Sequence, residues 1–225
     1  MAKLTWGDAA NRIYETGVSN CALYVKNSNG TYGNGVAWEG ITAVTESPSG
    51  AESTKLYANN SVYLNMTSVE EFGATIEAYT YPEEFAQCNG EAELAAGVTI
   101  GQQARKSFGL IYKTQIGSSD DGDAHGYKYH IIYGCKAAPS EKAYQTINDS
   151  PEAITFSWEL STTPEVCTGF NDTSKIEIDS TKVTSAQLEE FEEYCFGTNA
   201  SGSVEGTQPQ FPTPAKIVEI FGTQG

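Results

Sequence analysis

Apolar and polar residues alternate along several short stretches of this chain. At 73–80, Ala74, Ile76 and Ala78 fall on one side of an extended backbone, and Thr75, Glu77 and Tyr79 on the other. A period of two marks a strand with one buried face. The same alternation recurs at 153–160, where Ile154, Phe156, Trp158 and Leu160 oppose Thr155, Ser157 and Glu159. Phe108, Leu110, Tyr112 and Thr114 share a face within 105–115, and Tyr127, Tyr129, Ile131 and Tyr133 within 127–135. Shorter strands are predicted at 21–26 and 175–180. The stretch 36–80 holds three β-like runs: VAWEGITAVT, TKLYANNSVYLN and SVEEFGATIEAYT. The first two are joined by a polar loop, ESPSGAES, punctuated by Pro48 and Gly50.

The pattern changes period at 185–196. Leu188, Phe191, Tyr194 and Cys195 form a stripe at helical spacing, Thr184 or Ser185 can cap its start, and Gly197 ends it. Pro82 opens a single helical turn over 82–86. Asn29-Gly30 is a hairpin-turn dipeptide. Segment 91–103 reads as an irregular excursion. The closing AKIVEIFG reads as a final apolar strand or arm. Residues 1–20 read as an arm anchored by Leu4, Trp6, Ile13 and Tyr14, docked on its own subunit or on a neighbouring copy. No linker, repeat or low-complexity block divides the chain. The expectation is one domain over 1–225, with the arm at 1–20 and a C-terminal segment at 198–225. Its class is mainly β: an antiparallel sandwich or barrel with one flanking helix and a long projecting loop.

Composition narrows the role. Thirteen Lys and Arg stand against 29 Asp and Glu, a formal charge of −16, which repels nucleic acid and favours solubility. The five cysteines are Cys21, Cys88, Cys135, Cys167 and Cys195. They are odd in number and without ligand spacing, which predicts reduced thiols that pack as small apolar residues. The start lacks the apolar core of a signal peptide, and no apolar run is long enough to span a membrane.

Candidate chemistry is thin. Asp120, Asp121, Asp123 and His125 share one segment between two strands. Oxygen-rich loops hold calcium, yet the EF-hand spacing is absent, and Asp and Gly at a hairpin tip serve the backbone. The two histidines, His125 and His130, lie near no nucleophile motif. His130 shares a strand face with Lys128 and Ile132, which predicts a surface or core-edge side chain. Glu70-Glu71, Glu83-Glu84 and Glu189-Glu190 are adjacent pairs on exposed segments. No catalytic residue, metal ligand or cofactor site is expected, and the chain reads as no enzyme.

Longer segments carry a family likeness. They are TYGNGVAWEGITAVTESPSGAESTKLYANN, EEFGATIEAYTYPEEFAQCNG, KSFGLIYKTQIG, GYKYHIIYGCKAAPSEKAYQTIND and AITFSWELSTTP. In these the chain resembles the major tail proteins (tail tube proteins) of long-tailed bacteriophages and their prophages; the resemblance runs over most of the chain and is weakest in the first twenty residues and after Gly197. The resemblance implies a β-sandwich with a flanking helix and a long loop. It also implies hexameric rings stacked into a hollow tube through which DNA passes unbound. Tape-measure, tail-tip and tail-terminator proteins are the implied partners. The implied location is the virion tail, assembled in the host cytoplasm, away from any membrane. The competing class is a monomeric β-sandwich module that binds a carbohydrate or receptor.

Two sets of residues then gain expected roles. The polar loop of Glu46, Ser47, Pro48, Ser49, Gly50, Ala51, Glu52 and Ser53 projects as an inter-ring stacking loop would. Glu39 and Glu77 sit at the parity opposite the apolar positions, which leaves them for the lumen or for an outer solvent face. An acidic lumen repels the DNA backbone over about a Debye length, roughly 10 Å at moderate salt.

Overall fold

A computed structural model describes residues 6, 12–119, 122–147, 149, 152–200 and 205–222. Twelve strands and two α-helices follow one another among them. The first three strands are β1 (Ile13–Lys26), β2 (Tyr32–Ala37) and β3 (Ile41–Glu46). Next come β4 (Ser53–Ala58), β5 (Ser61–Thr67) and β6 (Gly73–Ala78). A 3-10 turn, Glu83–Phe85, leads to β7 (Ala92–Ala95), β8 (Val98–Ile100), β9 (Phe108–Ser118) and β10 (Gly122–Ala137). The chain ends with β11 (Phe156–Ser161), β12 (Lys175–Asp179), α1 (Ser185–Phe196) and α2 (Pro214–Phe221).

Eight strands hydrogen-bond in the order β2-β1-β9-β10-β11-β6-β3, with β12 also on β10. All these pairs are antiparallel. The path is two sheets because β10 belongs to both. Over Lys128–Ile132 it pairs with β12, and at Lys136 and Ala137 it pairs with β11. Between these lies Gly134 at φ 56°, where the register with β9 shifts. A bulge of one residue reverses the side-chain parity. Tyr129, Ile131 and Tyr133 therefore face the helices, while Ile132, Cys135 and Ala137 face the core between the sheets. The sheets form an open sandwich. Among the described residues β3 pairs with β6 alone, so no barrel closes.

Two cores result. Between the sheets lie Leu23, Ile76, Phe108, Leu110, Ile132 and Trp158, sealed by Phe85 of the 3-10 turn. Trp38, Phe85 and Trp158 pack ring to ring there, and the Trp158 indole N–H donates to buried Asn89 at 3.1 Å. On the other side of the first sheet, α1 and α2 press Leu188, Phe191, Ile217 and Ile220 onto Tyr24, Tyr129 and Tyr133. The central strands are thus covered on both faces, and Cys21, Ala22, Leu23 and Tyr24 are buried in succession. The five cysteines are free, and all but Cys167 are buried. Burial raises the pKa values of Cys21, Cys88, Cys135 and Cys195, that of Cys88 to about 12.

Several predicted elements take another form. TKLYANNSVYLN is not one strand but the hairpin β4–β5, turned by Asn59 and Asn60 at φ 50° and 60°. Asn tolerates that region where most residues do not. VAWEGITAVT divides into β2 and β3 around a turn at Glu39 and Gly40. Segment 91–103 contains the hairpin β7–β8. AKIVEIFG is helical rather than extended. The Thr213 hydroxyl accepts from the Lys216 amide, Pro214 stands at the first turn, and Ile217 and Ile220 are one turn apart. There are therefore two flanking helices. Much of the predicted arm at 1–20 lies outside the described residues, but from Ile13 it is strand β1, paired with β9. Helix α1 has its predicted bounds, with a capping box between Thr184 and Gln187.

Candidate assembly surfaces and an ionic cluster

The second sheet, β11-β6-β3 with the end of β10, has one face in the core and one in solvent. Its outward positions follow from the register. Thr45 and Ala43 stand opposite Thr75 and Glu77, which in turn stand opposite Glu159 and Ser157. Lys136 pairs with Ser161 at the β10 edge, outward because Cys135 and Ala137 point inward. This face is built from short polar side chains, two carboxylates and one ammonium, with no large apolar group on these strand positions. Glu77 is exposed there. Glu39 is also exposed, but it sits in the β2–β3 turn rather than on a strand. The structure therefore brings only Glu77 onto the sheet face. Glu159, which sequence alternation placed on the same parity, joins it.

The projecting feature is the β4–β5 hairpin. Leu56 and Leu64 pair across it, as do Thr54 with Met66 and Tyr57 with Val62. Its large apolar side chains are exposed on both faces, Tyr57 at 70% and Tyr63 at 76%. Of the polar loop, Ser53 begins β4 and Glu46 ends β3; 47–52 form the hairpin's stem. Within it the Ser47 amide donates to Gly73 O, Ser49 and Glu71 exchange backbone bonds, and the Ser68 amide donates to Glu52 O. Gly50 sits at φ 86°, where a Cβ would stand 2.3 Å from Val69 O. A second hairpin, β7–β8, exposes Leu94 and Val98. The chain enters β6 from the first hairpin and leaves it for the second. Between the two hairpins the chain runs through β6 and the 3-10 turn Glu83–Phe85.

Where the second sheet ends, the inner face of the first carries charge. Glu15 of β1, Lys128 and His130 of β10, Lys175 and Glu177 of β12 and Glu46 of β3 meet there. Tyr112 Oη donates to Glu46 Oε1 at 2.6 Å, and Lys175 Nζ reaches Glu46 Oε2. Lys128 Nζ bridges Glu15 at 2.8 Å and Glu177 at 2.9 Å. Burial opposes ionisation of both carboxylates. The bonds from Lys128 outweigh it, aided at Glu15 by Thr114, and hold both below the usual carboxylate range. The same two hydrogen bonds raise the Lys128 pKa. His130 is buried at the core edge and stacked on Tyr112 at 4.7 Å. Burial first, then Lys175, lowers its pKa against the pull of Glu177, Glu46 and Glu15. Sequence periodicity put His130 beside Lys128, but the partners from β1, β3 and β12 come together only through long-range pairing.

Asp120 and Asp121 lie outside the described residues; Asp123 accepts from Tyr14 Oη at 2.8 Å. Among the described residues no group of three His, Cys, Asp or Glu side chains is placed to hold a metal ion. No helix among them is long and apolar enough to cross a membrane.

No family model matches the chain, and no curated protein matches it. Among solved structures, a chain in the cryo-EM structure of the sixfold-symmetrised baseplate of the anti-feeding prophage is similar at a TM-score of 0.35 and 7% identity. The likeness covers 78% of this chain and 97% of that one. At that TM-score it carries no argument about fold or role.

Proposed function

We propose that this chain is a structural subunit of a phage-type tail tube, joined to copies of itself in hexameric rings that stack. The observation that carries the reading is the β4–β5 hairpin. A two-stranded ribbon is marginal in water by itself. One with Leu56, Tyr57, Val62, Tyr63, Leu64 and Met66 exposed needs cover from another molecule. The edge of β3, unpaired among the described residues, offers a second joint, because a neighbour's strand would satisfy its backbone. A second exposed hairpin, β7–β8, adds a further contact surface, and head-to-tail contact between unlike surfaces extends without limit along an axis.

In this reading the outer face of the second sheet, with Glu77 and Glu159, lines the channel. Short polar side chains and carboxylates let DNA slide without specific binding. Glu39 lies at the rim of the same sheet. The stem at 47–52 holds the stacking hairpin rather than acting as the contact itself. The role is structural, without catalysis or cofactor. Tape-measure, tail-tip and tail-terminator proteins are the partners, and the particle is assembled in the host cytoplasm. The segment resemblance to tail tube proteins supports this reading, as does the charge of −16.

The test is light scattering of the purified chain and of a Tyr57→Asp, Tyr63→Asp variant over a concentration series. Self-association that the double variant abolishes, with its melting temperature kept, supports the proposal. A wild-type chain that stays monomeric throughout favours the binding module instead.

A further inference from the structure

His130 is 4% exposed, and its two nitrogens are treated very differently. Thr114 Oγ1 gives its hydrogen to Glu15 Oε1 at 2.6 Å, so it accepts from His130 Nε2 at 2.8 Å. Nε2 therefore carries the proton of the neutral ring, and it also lies 3.3 Å from Glu15 Oε1. Nδ1 is left as a lone pair without a hydrogen-bond partner. It faces two more acceptors, Glu177 Oε2 at 3.6 Å and Glu46 Oε1 at 3.7 Å. Three carboxylates (Glu15, Glu46, Glu177) share two ammonium groups (Lys128, Lys175) in this cluster, so one negative charge is in excess. Tyr112, the remaining titratable neighbour, stays neutral because burial first, and Glu46 next, raise its pKa.

We propose that His130 is a proton-operated switch on the stem of the β4–β5 hairpin. A proton taken from solvent at Nδ1 converts a lone pair between two carboxylates into a donor and cancels the excess charge. Closing either gap to about 2.8 Å makes a charge-assisted hydrogen bond. Glu46 is the carboxylate with consequences. It is the last residue of β3, its Oε1 is held by Tyr112, and the next residue, Ser47, bonds the backbone of Gly73. When Glu46 turns to His130, it gives up Tyr112 and strains the Ser47–Gly73 closure that anchors the hairpin. Burial and Lys175 hold the folded-state pKa below the ordinary imidazole value. The unfolded chain therefore takes the proton more readily, and local stability falls as pH drops below about 6.5. Acid loosens the stem; neutral pH keeps it closed. The inference concerns a single subunit and does not depend on how subunits assemble.

The experiment is carried out on the full chain at a concentration where it is monomeric. The His130 ring is titrated by NMR between pH 7.5 and 4.5. Over the same range, amide hydrogen exchange is followed at Ser47, Ser49 and Glu71, corrected for the intrinsic pH dependence. The expected result is a loss of stem protection of about fivefold or more, with its midpoint at the ring titration and no matching change in α1. His130→Gln, which cannot titrate there, should show flat stem protection. Should that variant fail to fold, the coincidence of the two wild-type midpoints decides. A ring that never titrates, stem protection that ignores its titration, or an acid response that persists in His130→Gln would overturn the proposal.

Discussion

The Tyr112 hydroxyl donates to Glu46 at 2.6 Å and so joins β9 of the first sheet to the last residue of β3 in the second. Tyr112 is buried, and its ring packs in the core between the sheets. Tyr112→Phe keeps the ring and removes the bond. A net cost of about 1–3 kcal/mol is expected, because the acceptor is charged and one of its two hydrogen-bond partners is lost. Urea unfolding with an unchanged slope would show it as a lower midpoint.

Gly134 lets β10 pass from one sheet to the other. A Cβ at this position would stand 2.3 Å from Thr163 O, on a backbone at φ 56°. Gly134→Ala is therefore expected to destabilise by about 1–3 kcal/mol, more than a glycine replacement at an unstrained site. Gly97, at φ 75° with nothing within 4 Å, is the control: Gly97→Ala keeps the φ penalty and lacks the clash. Equal melting temperatures for the two variants would contradict this account of the bulge.

Phe211 lies over Gly109, which has no side chain to obstruct it, and packs against Tyr24, Tyr32 and Tyr133. It fastens the segment between α1 and α2 to the first sheet. Phe211→Ala should cost about 3–5 kcal/mol by cavity formation. Gly109→Ala should mimic part of that loss by pushing the ring away. Calorimetry of both variants checks the pair, and an unperturbed Gly109→Ala would remove the close approach from the account.

Much of the sandwich was legible because its strands carry one buried parity. Ala74, Ile76 and Ala78 are all in the core, as are Trp158 and Leu160. Helix α1 was legible from its cap and stripe. The N-terminal half of β1 was not, because Gly17 at φ 68° and Asn20 at φ 48° mark places where its register shifts and its alternation breaks. The hairpins β4–β5 and β7–β8 were hidden for another reason. Both are exposed, so neither shows the one-sided pattern that burial imposes. Helix α2 is short, and at eight residues an apolar run fits a strand or a helix. The ionic cluster needed the fold, since Glu15, Glu46, His130 and Glu177 lie far apart in the chain. Glu77 was placed correctly as an exposed strand residue; Glu39 was not, because alternation does not reveal that a turn has intervened.

The sheet face offers a test of charge. Glu77→Lys and Glu159→Lys alter side chains that touch solvent, so folding and self-association should be unchanged. In particles, the double variant should slow DNA release, and more so at low salt, where screening is weaker. Release at the wild-type rate across salt concentrations would take this face out of the channel.

Electron microscopy of the purified chain at high concentration reaches the central claim most directly. The account predicts sixfold rings and hollow tubes, lost when Tyr57 and Tyr63 on the β4–β5 hairpin are changed to Asp. Fields of dispersed monomers at every concentration, or assemblies indifferent to those two substitutions, would contradict it.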